Sequence, residues 1–459
     1  MKALTTVHPG RLPKAPLPVL TLFARKSAAD HRSWALPVTA YALVSGLLVS
    51  VIAGVVMYWQ FQFTAPGMVS TYRILSAVAL FILALPLINL ASAAARLSTR
   101  RKDSRLSGLR LLGAPRRTLS ALILGEAVTQ ATLGVVIGGG LYALLIPVLG
   151  LLHVDGRQIG AGAMVLPVPV ILLCWALLIL LAGVSSAVGL RRISISPLAV
   201  RTRRDVPKMH WLRAVVPVIA LVAVVLLWRE SLSLPEIGVA LVGSAVLFGV
   251  PMMAMAFAGP WIVARSGRRM HRKAKSPEHL VAARMILSDP RAAWRQLQSV
   301  VLLAFVAVTV GGGLAVMAQT SGQPGVEHLV ADMRTGAVLT VLFGFFTVAC
   351  AVMIDQTAAV ADRRDVWRNL DLVGMPFGSV DRVRRMAVTR PMRALLIVAL
   401  VSAVVVQAPV LGVGLVLSPT SVGAAAVVLG LGILMVPLAV LLTRSSLTTA
   451  VREPVGQVL

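Results

Sequence analysis

Ten stretches of this 459-residue chain run for roughly twenty apolar residues each with almost no charge. Crossing the hydrocarbon core of a bilayer takes a helix of about that length. In lipid every backbone donor and acceptor must be satisfied within its own segment, and a helix of this length does that alone. The stretches are Ala35–Tyr58, Ile74–Ala95, Leu119–Leu149, Met164–Leu190, Ala214–Trp228, Ile237–Ala264, Leu297–Ala318, Thr335–Ala361, Ala394–Leu417 and Thr420–Leu442. The fifth is the shortest, and Arg213 and Arg229 at its ends are placed to snorkel to the two interfaces. These stretches imply an all-α polytopic membrane protein with about ten transmembrane helices. Only 13% of the residues are charged, against about 25% in soluble domains, so a soluble enzyme is excluded.

The formal net charge is +27, a value that in a soluble protein suggests nucleic acid. The positions of the charges argue otherwise. Forty of the 44 basic residues fall before the first span, in alternate loops, or after the last span, leaving Arg73, Arg157, Arg229 and Arg334 on the other side. Short Lys/Arg-rich loops stay in the cytoplasm, so the chain is expected in the plasma membrane, multi-pass, with both termini cytoplasmic and no nucleic-acid partner. The apolar stretch after the basic N-terminus is a full span with no cleavage site, an anchor and not a signal peptide. Cys174 and Cys350 lie in separate spans with no metal set around them and read as small core residues.

The chain also repeats. A shift of 259 residues sets Phe23-Ala24-Arg25, Asp30 and Arg32 against Ala282-Ala283-Arg284, Asp289 and Arg291. A shift of 261 sets Leu109, Leu111, Gly113 and Pro115 against Leu370, Leu372, Gly374 and Pro376, and a shift of 251 sets Ala199-Val200-Arg201 against Ala450-Val451-Arg452. Three matches in one order at nearly constant spacing imply duplication. The expected arrangement is 4+2+4: residues 1–34 a cytoplasmic N-terminus and interfacial elbow, 35–203 a four-helix repeat, 204–278 two central spans and a basic linker, and 279–459 a second elbow and repeat. Because four is even, both repeats face the same way and a pseudo-two-fold axis along the membrane normal relates them.

Gly134 and Gly138 stand at GxxxG spacing, which suits close helix packing or a hinge. Only two carboxylates, Glu126 and Asp355, are expected inside the bilayer. Each lies within reach of an interfacial arginine pair, Arg116 or Arg117 for the first and Arg363 or Arg364 for the second, with proton coupling or a gating contact as the alternatives. The outer residues His153, Asp155, Glu230, Glu236, Glu327 and Asp332 are too scattered for a metal site or an acid/base pair and read as solvated loop charge. No outer loop exceeds 16 residues, so no outer domain is expected.

The string Arg105–Val128, RLSGLRLLGAPRRTLSALILGEAV, reads as a short basic amphipathic helix, a turn at Gly113 to Pro115, and re-entry into the membrane. Such a helix suits either anionic lipid or a cytoplasmic partner. Here the sequence resembles the FtsX-like permeases of ABC transporters, which carry a similar LRALGA helix followed by a Glu inside the next span. Leu109–Ala114 is LRLLGA and Glu126 stands in the place of that Glu; the second half has LDLVGM at Leu370–Met375 and Ala387 where a Glu is expected. Ten-span members of the family that act in antimicrobial peptide resistance are similar in layout, but they carry a large outer domain where this chain has only Gln319 to Arg334.

The resemblance implies a permease that does no covalent chemistry and holds no cofactor or metal. Two copies of a cytoplasmic ABC ATPase, with ATP and Mg²⁺, would supply the energy. Leu109, Leu111, Gly113, Pro115 and Arg116 in one half, and Leu370, Leu372, Gly374 and Pro376 in the other, would couple to them. A P-loop needs a Gly-Lys pair, and none of the seven lysines follows a glycine. Export or extraction of a lipid, peptide or drug is the expected task, with membrane lipid as a further partner. An ion-driven secondary transporter, or a signalling subunit that moves nothing, are the alternatives.

Overall fold

The computed structural model describes residues 31–63, 69–100, 116–194, 237–320, 327–362 and 364–411, and six further positions between 423 and 441. Ten helices are described: α1 (His31–Gln60), α2 (Val69–Arg100), α3 (Arg116–Gly150), α4 (Val168–Ser194), α5 (Ile237–Arg272), α6 (Pro277–Ser288), α7 (Pro290–Thr320), α8 (Glu327–Asp362), α9 (Arg364–Leu372) and α10 (Phe377–Leu411). Among the described residues eight helices are long and apolar enough to cross a membrane, and the protein is an all-α, multi-pass membrane protein. The expected fifth span, the Arg105–Pro115 string and almost all of the tenth span lie outside the described residues.

Several helices overrun the apolar stretches that marked them. α8 begins at Glu327 and not Thr335, and α10 begins at Phe377, well before Ala394. Hydropathy marks the part of a helix that lipid solvates, whereas the helix itself continues for as long as its backbone bonds and packing hold. The basic stretch from Arg265 to Arg272 is likewise the last two turns of α5. The bundle thus has a basic end, nearest the Lys/Arg-rich loops, and a far end opposite it.

Helices α7, α8 and α10 begin 259, 258 and 261 residues after α1, α2 and α3. Packing repeats with them: α1 lies chiefly against α3 and α2, and α7 against α10 and α8. The two modules meet where α2 packs against α8 and, less extensively, α7; α5 flanks the second module against α7 and α10. The apolar core runs across the junction: one cluster lies around Phe305, Leu303 and Met392 and takes in Ile82 of α2, and another lies around Tyr41, Val44 and Leu90 and takes in Ile354 of α8.

The α1–α3 contact shows what the GxxxG spacing does. A Cβ on Gly134 would lie 2.4 Å from the Tyr41 Cβ, and one on Gly138 would lie 2.5 Å from the Ala42 carbonyl oxygen. Ser45 Oγ donates to the Val135 carbonyl across the same contact at 3.2 Å. These glycines bring two backbones together, as small residues do between helices in lipid. Gly138→Val will force α1 off α3 and cut the yield of monodisperse protein severely, while Gly140→Val, where no atom lies within 4 Å, will leave it unchanged. Size-exclusion profiles of the two variants check this.

At the basic end, α6 is the elbow of the second module. Ser276 caps it by accepting the His279 amide, Pro277 opens its first turn, and Asp289 closes it and caps α7 by accepting the Ala292 amide at 2.9 Å. Its buried face, Ala282, Ala283 and Ile286, packs against α5 and α10.

Candidate functional site

Two places combine exposed or buried polar chemistry with the junction of elements. The first is at the basic end. α9 is a strongly amphipathic helix that plants the buried Trp367 among Val360, Val380, Val383 and Ala282. It stops in a Schellman turn: the Met375 amide donates to the Leu370 carbonyl and the Gly374 amide to the Asp371 carbonyl. Gly374 has φ +85, a conformation that a Cβ disfavours, and the Pro376 carbonyl then accepts the Ser379 and Val380 amides to start α10. Leu370 and Met375, at the two ends of the turn, both pack on the same cluster. Beyond it Leu372 and Val373 are 73% and 86% exposed. Two large apolar side chains at the tip of a charged helix have no account in the fold.

Beneath this tip lies an ion-pair group. Asp381 pairs with Arg384 at 3.3 Å and with Arg385 at 3.2 Å, and Asp381 and Arg384 are both nearly fully buried. Glu278, in the first turn of α6, accepts the Ser379 hydroxyl at 3.2 Å and faces Arg382 at 3.5 Å, so elbow and α10 are clasped side by side. The Glu278 carboxyl lies below the usual carboxylate range, held first by the Ser276 hydroxyl and its own amide, then by Ser379 and Arg382. A depressed carboxyl contributes stability above its unfolded pKa and loses it as pH falls through the folded value. Amide protection factors over 277–288, each rate taken relative to the intrinsic rate at the same pH, will therefore fall on acidification from neutral pH to about pH 3, and Glu278→Gln will reduce that dependence.

The second place is at the far end. A cavity of about 490 Å³ lies between the modules, walled by α1, α2, α5, α7, α8, α10 and the α3–α4 connection, and its lining is mostly apolar. Its size falls in the range of small-molecule sites. Asp332, on the second turn of α8, is only 7% exposed and lines it. Its Oδ2 accepts the Tyr72 hydroxyl at 2.6 Å and the Asp155 amide at 2.7 Å. Tyr72 opens α2 in the first module. Asp155 sits at the tip of a two-residue hairpin between β1 (His153–Val154) and β2 (Arg157–Gln158), where Asp155 and Gly156 have φ 54 and 71. A carboxylate of the second module thus ties two elements of the first across the cavity mouth. Arg157 pins the hairpin further by donating to the Gln62 carbonyl at 2.6 Å and covering the Phe61 ring.

About 25 Å along α2 from Tyr72, Asn89 makes a second polar bridge between modules. It donates to Ser299 Oγ at 2.9 Å and accepts from Gln298 Nε2 at 2.6 Å.

These positions correct part of the sequence reading. Asp332 and Asp155 are not solvated loop charge. Asp332 is buried, because α8 begins early enough to carry it into the module junction. The carboxylates inside the fold therefore include Asp332 and Asp381 beside Glu126 and Asp355. The signal for the hairpin was present in the Asp155-Gly156 pair, which favours a two-residue turn of this kind. Nothing local in the sequence marks Asp332 or Asn89, since their partners lie 177 to 260 residues away. Glu126 is half-buried on α3 and accepts from Gln130 Nε2 at 3.2 Å; Asp355 is half-buried on α8, and neither lines the far-end cavity. Leu109, Leu111, Gly113 and Pro115 lie outside the described residues, and Arg116 opens α3. Among the described residues no three His, Cys, Asp or Glu side chains are grouped to hold a metal ion.

Residues 95–198, from the last turns of α2 through α4, match the protein-family model FtsX-like permease C-terminal. The match covers the segment that holds the LRLLGA string and Glu126, and that segment of the chain is similar to the C-terminal domain of FtsX-like permeases. No curated protein matches the chain.

Proposed function

We propose that the permease converts ATP hydrolysis on separate ATPase subunits into opening and closing of the junction between its modules, and so extracts or exports an amphipathic substrate. The observation that carries this is the Leu372–Val373 tip. It is apolar, exposed, rigidly presented by a Schellman turn, and mounted on a buried Trp367 and ion-pair base that joins α9 to α10 and α6. A push on this tip is passed to α10 and through it to α7, its main packing neighbour. By the duplication, Leu109, Leu111, Gly113, Pro115 and Arg116 are the counterparts in the first module, so two ATPase copies, each with ATP and Mg²⁺, engage one permease. The basic end is then cytoplasmic, with both termini there, and the far-end cavity opens toward the outer leaflet. The module boundaries are those of the duplication, 35–203 and 279–459.

The test is co-expression with each cytoplasmic ABC ATPase of the source genome, one of which should form the complex. The complex should co-purify, hydrolyse ATP faster than the ATPase alone, and release amphiphile from proteoliposomes only with ATP. Transport by the purified permease alone along an ion gradient would overturn the proposal in favour of a secondary transporter.

A further inference from the structure

The far-end cavity has a chemistry more specific than that of a general amphiphile site. Resting on the reading that the permease handles an amphipathic substrate, we infer that the cavity binds an amphiphile with an ammonium head, the head beside Asp332 and the apolar body between the modules.

Three observations point to this class. Asp332 is buried, yet among the described residues no cation pairs with it. Arg73 is engaged by the Trp59 ring and carbonyl, Arg157 by Phe61, Gln62 and Asp155, and neither Arg334 nor His153 forms an ion pair with Asp332. Both hydrogen bonds to Asp332 are taken by Oδ2, and among the described residues Oδ1 accepts none. A buried carboxylate with two hydrogen bonds and no counter-charge is stabilised further by a cation brought from outside.

Next to it stand aromatic rings. Tyr58 and Tyr72 line the cavity with Asp332, their centroids 6.1 Å apart, and Phe63 stacks on Tyr72 at 4.2 Å. Aromatic faces beside a carboxylate are the surroundings in which quaternary ammonium groups are held. Finally, the rest of the wall is apolar, contributed by residues such as Val55, Leu75 and Leu339, so the favourable ligand has one charged end and one apolar end. An anionic head would face Asp332 directly and be repelled.

The probe is decyltrimethylammonium, kept below its micelle concentration, with the purified full-length permease in nanodiscs of uncharged lipid and no ATPase or nucleotide. Equilibrium dialysis of the labelled probe should show saturable binding. Asp332→Asn keeps an oxygen that accepts the Tyr72 and Asp155 hydrogen bonds but loses the charge, and should weaken binding by about tenfold or more. Ala337→Phe, which fills the cavity from α8, should abolish it without altering Asp332. Decyl sulfate should not compete. The inference is overturned if the folded parent shows no saturable binding, if Asp332→Asn binds as the parent does, or if decyl sulfate competes as well as the ammonium probe. Because no ATPase is present, failure here leaves the coupling proposal standing, and failure of ATPase co-purification leaves this binding result standing.

Discussion

Under the proposed coupling, protein carrying both Leu372→Asp and Val373→Asp will insert and fold as the parent does, yet recover about a tenth or less of the ATPase that the parent recovers. Both side chains are almost fully exposed, and surface substitutions away from packed features change stability by only about 0.5 kcal/mol, so the melting temperature will stay near the parental value. Apolar residues at the centre of an interface behave differently. Replacing two of them by carboxylates places charge where the partner expects an apolar tip, and the loss of about 1.4 kcal/mol that corresponds to tenfold is modest for such anchors. If docking is bivalent, losing one of two sites also removes the avidity that links them. Pull-down yield and stimulated ATP hydrolysis, measured beside a thermal melt, separate the outcomes. Parental ATPase recovery by the double variant would remove the assignment of α9 as a docking element.

Asp381→Ala will act in the opposite way, on stability first. It leaves the nearly buried Arg384 guanidinium without the carboxylate at 3.3 Å, and breaking a buried pair by removing one partner costs about 3–5 kcal/mol. The damage will concentrate where Arg384 lies, beside Trp367 and Val360 in the small space between α6, α7, α8, α9 and α10. Arg385→Gln removes the other partner, whose side chain is 44% exposed, and will cost less than about 1 kcal/mol. The two variants therefore form a matched pair around one carboxylate. Thermal unfolding followed by Trp fluorescence should rank them in that order. Equal effects would mean that Asp381 is held by its exposed partner, and that the buried contact adds nothing.

Much of the bundle was legible in the residues because lipid imposes a simple rule. A segment with no charge for twenty residues must be a helix, and α1 to α4 and α7, α8 and α10 lie where the apolar stretches do. The Gly134–Gly138 spacing was legible for the same reason, since only small side chains let two helices approach across lipid. Gly374 and Pro376, which a shift of 261 sets against the turn read at Gly113 and Pro115, stand at the end of α9. The extension of α8 back to Glu327 was not legible, because polar residues at a helix end carry no hydropathy signal. That extension is what converts Asp332 from loop charge into a buried group.

The all-α, multi-pass class of the fold and the places of the described spans are properties of short windows, and the amino-acid string settles them without reference to packing. The tie of Tyr72 and Asp155 to Asp332, the bridge from Asn89 to Gln298 and Ser299, and the cavity between the modules exist only once α2 lies against α7 and α8. Each tie joins residues more than 170 positions apart. A polar side chain in a span says only that it needs a partner, and which partner it finds is decided by the helix that packing brings to its face.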